Sequence, residues 1–157
     1  MSVEVNELIG IIRKNLDILE RMASSLGELY KKELPLIGRT DRSALMVAGL
    51  LENYYTRAET TFLRISQFFE NNLDNEHWHR DLLEKMTLEI EGVRIPAVSQ
   101  PNYSRLLELL KFRHFKRYYF EMEYDWDRLE FIKKKLEQAH PLLTSDLENF
   151  IDFLRAI

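Results

Sequence analysis

Val5, Ile9, Ile12, Leu16, Leu19, Ala23, Leu26 and Tyr30 recur at alternating steps of four and three residues. That spacing lays them along one stripe of a single long helix. Gly10 and Gly27 fall inside it, and each costs about 1 kcal/mol relative to Ala. Packing along the whole stripe must therefore hold the helix, and the rest of the chain has to supply matching faces. Pro35 and Gly38 break the pattern, and Asp41 is placed to cap the next helix. That second helix is expected over 41–69, with Val47, Leu51, Tyr54, Ala58, Phe62, Ile65 and Phe69 inward, ending at Asn71 and Asn72. A short third helix over 74–89 carries Trp78, Leu82, Leu83 and Met86, and Gly92, Pro96 and Pro101 mark a connection. The fourth starts near Pro101 with Leu106, Leu107, Leu110 and Phe115 as its apolar residues. A short break over 121–124 returns the fifth antiparallel from about Asp125. Phe131, Ile132 and Leu136 continue the core, Pro141 is expected to kink or split the helix, and Leu147, Phe150, Ile151 and Leu154 resume the stripe. No period of two competes and no repeat is visible. The fold expected is all-α, an up-and-down bundle of four to five helices, and the chain of 157 residues fits a single domain over 1–157.

With 5 Gly, 4 Pro and 45% hydrophobic residues, the chain is neither a disordered tail nor a turn-rich β protein. The absence of cysteine excludes disulfides, zinc ribbons and thiol nucleophiles. Asn6, Glu7, Arg13 and Lys14 interrupt the N-terminal apolar run, so neither a signal peptide nor a membrane span is expected, and the cytoplasm is the expected compartment. A net charge of −4 confines any nucleic-acid contact to a local patch.

Such a patch exists in the run KFRHFKRYYFEMEYDW from Lys111. Arg105, Lys111, Arg113, Lys116 and Arg117 stand against the lone acid Glu108, and Glu121, Glu123, Asp125, Asp127 and Glu130 then stand against the lone base Arg128. The positive half also holds His114, Phe112, Phe115 and Tyr118, a mixture suited to gripping phosphate and stacking on a base. A basic helix end complementing its own dipole is the plainer reading. On the second helix Glu52, Arg57, Glu59 and Arg64 read as a solvated, weakly paired face. His77, His79 and Asp81 suggest a metal, but helical residues two apart point about 160° away from each other. They are expected to pack or cap, and no metal or cofactor is assigned.

Arg113, the polar His114, Arg117 and the Tyr118 position at a bundle helix end resemble the signature of the HEPN superfamily, and most of all its HepT-like branch, found in toxin modules beside a minimal nucleotidyltransferase. Glu52-Asn53-Tyr54, Arg57, Glu59, Trp78-His79-Arg80, Leu82-Leu83, Met86, Gly92-Val93-Arg94 and Asp125-Trp126 extend the resemblance over about residues 45–155. It implies a helical bundle that dimerises and acts as a metal-independent ribonuclease, possible substrates including transfer RNA. The family pattern is an Arg, a polar neighbour and a His after four to six intervening residues. That His works as general acid or base while the Arg stabilises charge on the phosphorane. The resemblance also implies a nucleotidyltransferase antitoxin that neutralises the nuclease, in some members by modifying a tyrosine just after the His.

Here the positions where that His belongs are Tyr118, Tyr119 and Phe120. A phenol with a pKa of about 10 donates protons at neutral pH but is a poor base. The alternative constellation is His114 and Tyr118, one helical turn apart, with Arg113 and Arg117 beside them at a cleft shared by two copies. The expected catalytic residues are thus Arg113, His114 and Tyr118, with Lys111, Lys116 and Arg117 binding RNA and Tyr118 and Tyr119 open to modification. Two other classes stay open, a catalytically degenerate module that binds RNA or the nucleotidyltransferase, and a purely structural helical dimer.

Overall fold

The computed structural model describes residues 2–70, 78–118 and 124–157, with backbone alone at 116–118. Helix α1 spans Val3–Glu28 and passes through a π turn, Leu29–Glu33, into the short α2, Leu34–Ile37. Then come α3 (Asp41–Phe69), α4 (Trp78–Met86), α5 (Gln100–Tyr118) and α6 (Trp126–Ala156). The π turn ends two residues before Pro35, which has no N–H to donate, and Gly38 ends α2 at a φ of 78°, where a side chain is disfavoured. Among the described residues there is no strand beyond one isolated bridge, Ile90 to Arg94. None of their helices is long and apolar enough to cross a membrane.

Cross-helix contacts set the topology. Arg57 donates to Asn15 (3.3 Å) and Arg64 pairs with Glu7 (3.9 Å), so α3 runs against α1. Arg13 meets Glu148 and Glu20 meets His140, so α6 also runs against α1. Ser99 at the start of α5 donates its N–H and hydroxyl to Asp146, both at 2.8 Å, and Asn102 donates to the Ala139 carbonyl, setting α5 against α6. The long helices therefore alternate up and down around the order α1, α3, α5, α6, an all-α bundle. The short α4 lies across α3 and α5.

Buried Leu8, Ile12, Leu19, Val47, Leu51, Phe62, Leu106, Leu109, Leu136 and Phe150 belong to the core that these faces share. The stripes expected on α1 and α3 are the ones that face it. Several local expectations need correction. Thr40, not Asp41, caps α3, its hydroxyl accepting from Ser43 N–H while Ser43 reciprocates, and Asp41 is the first-turn acid. Phe115 and Phe131, expected inside, are 48% and 43% exposed. Phe112, considered for base stacking, is buried in the core. α4 ends at Met86, short of Glu89, while residues 74–77, Asn71 and Asn72 lie outside the described residues. Pro141 does not split α6. It lies on the exposed side, where the Glu137 carbonyl that loses its partner can be met by solvent.

The α4–α5 connection is held by Arg94, whose side chain is fully buried. Its guanidinium pairs with Glu70 at the end of α3 and donates to the carbonyls of Lys85, Leu88 and Ile95. It thereby closes the C-terminal end of α4 and ties it to α3. Gly92 makes the tight turn before it at a φ of 75°.

Candidate functional site

On α5 the buried residues Leu106, Leu109, Leu110 and Arg113 follow helical spacing, so the arginine occupies the next core-facing position after three leucines. A charge so placed needs a partner inside the protein. α3 provides it one turn after Tyr55, at Glu59, which is also buried. Arg113 Nη1 donates to Glu59 Oε1 at 3.0 Å and Nη2 to Oε2 at 2.9 Å, a two-pronged guanidinium–carboxylate pair. Arg113 is 2% exposed, also donates to Thr56 Oγ1 (3.4 Å), and stacks its guanidinium 5.0 Å from the Tyr55 ring centroid. Burial first, and then the Glu59 carboxylate, push the Tyr55 phenol above its ordinary pKa, so it stays neutral.

α4 brings a third group to this pair. His79 Nδ1 lies 2.9 Å from Glu59 Oε2 and 3.1 Å from Arg113 Nη2. Its ring stacks on Trp78 at a centroid distance of 3.6 Å. Its side chain is 36% exposed, bridging the buried pair and the surface. That surface is a groove of about 670 Å³ between α4 and α5, whose walls include His79, Arg80, Glu84, Leu107, Lys111 and His114. Tyr103 Oη donates to Glu84 Oε1 (3.1 Å), and the hydrogen bond between Arg80 and Tyr103 is the main reason the Arg80 pKa is raised. The groove therefore offers two imidazoles, two cations and the carboxylates of Asp81 and Glu84, with Glu84 3.4 Å from Arg80 and a neutralised ion pair beneath one imidazole. A nitrogen such as His79 Nδ1 can donate to Glu59 or accept from Arg113, but not both at once. Which bond it makes fixes the tautomer of the ring.

Of the residues expected at the site, His114 and Lys111 line the groove, whereas Arg113 lies beneath it with its guanidinium turned inward onto α3. Lys116, Arg117 and Tyr118 occupy the last turn of α5, and their side chains, with Tyr119, lie outside the described residues. The solvated-face reading of α3 fails at Glu59 and holds for Arg64, whose 3.9 Å pair with Glu7 is exposed. Sequence spacing marks His79 only as a poor metal ligand, but its ring partners are Glu59 and Arg113. Among the described residues no group of three His, Asp or Glu side chains could hold a metal ion, and His77 is not among them. Sequence reasoning misses Glu59 and His79 as partners of Arg113. The signal available is the placement of Arg113 and Glu59 on the apolar stripes of their own helices.

Against known proteins, a family model described as HepT-like protein matches residues 46–154, more than half of the chain. No curated protein and no solved structure matches it. The matched span holds all of the residues that carry the resemblance, Glu59, Trp78-His79-Arg80, Arg94, Arg113 and Asp125-Trp126 among them, in an all-α bundle. The chain belongs to the HepT-like family of the HEPN superfamily.

Proposed function

We propose that this protein is the toxin component of a toxin–antitoxin pair, an endoribonuclease that cleaves RNA without a metal and is neutralised by a minimal nucleotidyltransferase. It works as a homodimer. The supporting observation is the groove between α4 and α5, which is lined by His79, His114, Arg80 and Lys111 and in which His79 touches the buried Arg113–Glu59 pair. Imidazoles supply proton transfer near neutral pH. The cations supply the phosphate contacts that any RNA-directed site needs. In the test, purified protein is incubated with total RNA in excess chelator, alone and with a minimal nucleotidyltransferase. Cleavage that the partner suppresses is the expected result. A folded protein that leaves all RNA intact overturns the nuclease reading.

One observation favours a second reading, a binding module without nuclease activity. Arg113 is 2% exposed and both its terminal nitrogens are engaged by Glu59, so its charge is already met within the protomer. Retained RNA or partner binding with no cleavage is the outcome that selects it.

A further inference from the structure

We infer that His79 on α4 is the general base of this site, in the role that the motif position Tyr118 cannot fill, with Glu59 and Arg113 as positioning residues for its ring. This rests on the ribonuclease reading above and goes beyond it in naming the group that moves the proton.

The geometry carries the assignment. Nδ1 of His79 is committed to the buried pair, 2.9 Å from Glu59 Oε2 and 3.1 Å from Arg113 Nη2. Nε2 is then the ring nitrogen that a ligand in the groove meets. When Nδ1 donates to Glu59, Nε2 carries the free electron pair and acts as a base. Once Nε2 gains a proton, both nitrogens carry one, and the imidazolium rests against the Glu59 carboxylate. Arg113 alone would oppose that charge. Its two-pronged bond to Glu59 leaves the pair neutral overall, so the proton can arrive. The Trp78 ring packs against the imidazole at 3.6 Å between centroids, tilted by 32°. A phenol such as that of Tyr118, with a reference pKa of about 10, is a poor base at neutral pH.

The step balances on these groups. His79 Nε2 takes the proton of a ribose 2′-hydroxyl while the 2′-oxygen bonds to the adjacent phosphorus. The bond from phosphorus to the 5′-oxygen breaks. The leaving oxygen takes a proton from the imidazolium of His114 on the same groove. The products are a 2′,3′-cyclic phosphate and a 5′-hydroxyl, with no oxidant or metal required. Arg80 and Lys111 are the cations on the groove wall; their pairs with Glu84 (3.4 Å) and Glu108 (3.9 Å) are weak surface pairs that a phosphate can replace, whereas Arg113 is held by Glu59 inside the protein.

The test is cleavage of a short single-stranded RNA in excess chelator by the full chain and by His79→Gln and His79→Gly, with thermal unfolding recorded for each. His79→Gln is expected to lose about 100-fold or more in kcat with KM within about 2-fold of the parent. Added imidazole is expected to restore part of the activity of His79→Gly. A 2′-deoxy nucleotide at the scissile position should block the parent enzyme. Should either variant unfold, carbethoxylation of His79 in the unaltered chain, followed by peptide mass, decides: activity must fall in step with His79 modification. Cleavage by the parent that survives His79→Gln or full modification overturns the His79 assignment and leaves the ribonuclease reading standing. Absence of cleavage by the folded parent overturns both.

Discussion

A guanidinium that is almost out of contact with water is tolerated because every face of it is engaged. Arg113 has Glu59 across its fork, Thr56 at its side, Tyr55 against its plane and His79 at its edge. Removing one partner of such a pair strands the other. Arg113→Ala is therefore expected to cost about 3–5 kcal/mol of stability, read in urea unfolding, with Glu59→Gln in the same range. Loss of activity in either variant then needs a folding control. Glu59→Gln combined with Arg113→Gln should cost clearly less than the two single changes added together, because the residues share one interaction. Among the described residues the buried Tyr55 hydroxyl has no hydrogen-bond partner. Tyr55→Phe is thus expected to be neutral or to raise stability by up to about 1 kcal/mol in the same assay. Arg113 is legible in the sequence as a candidate, but its environment is not. Charge counting along the chain puts it among the cations of a surface patch, whereas position on the helix, one step beyond Leu106, Leu109 and Leu110, puts it in the core. Glu59 escapes for the same reason, and His79 because a pair of histidines at the wrong spacing for a metal draws attention from the acid one helix away.

Helices are legible where a single periodic stripe faces a continuous core, as in α1 and α3. They are poorly legible where the bundle leaves a face open. Phe115 and Phe131 carry apolar side chains at plausible core spacing yet lie exposed on α5 and α6. Pro141 looks disruptive from its intrinsic cost alone, but on the outer face of a helix of 31 residues packed along its length that cost does not interrupt the element. Caps follow local rules. Thr40→Ala is expected to cost about 1 kcal/mol by removing the acceptor for Ser43 N–H, measurable in chemical unfolding. The nine-residue α4 is too short to hold itself together. Arg94 anchors one end of it through Glu70 and three carbonyls. Arg94→Lys keeps the charge but not the fork. It is expected to speed amide hydrogen exchange across 78–99 relative to α1 and α3, and to lower the cleavage proposed for His79.

At the scale of the whole molecule, one polar relay joins three of the four long helices. Tyr54 on α3 hydrogen-bonds His140 Nδ1 on α6 at 2.8 Å, and His140 Nε2 lies 2.6 Å from Glu20 on α1. Burial raises the Tyr54 pKa, so the phenol stays protonated. The hydrogen bond with His140, and then its charge, hold the Glu20 carboxyl below its usual value. A carboxyl whose pKa is lower folded than unfolded stabilises the fold above the unfolded value of about 4.3. That contribution fades as the pH falls through the lowered folded value. Unfolding followed from pH 7 toward 3 is expected to show a slope from this group that Glu20→Gln removes. The depth of the Arg113–Glu59 pair has a further consequence, for ionic strength. Mobile ions screen exposed charges over a Debye length of about 8 Å at physiological strength but act little on a pair they cannot reach. Raising potassium chloride should weaken the proposed RNA contacts of Lys111 and Arg80 and leave the alignment of the His79 ring unchanged. Capture and chemistry in this protein would then answer to different solution conditions.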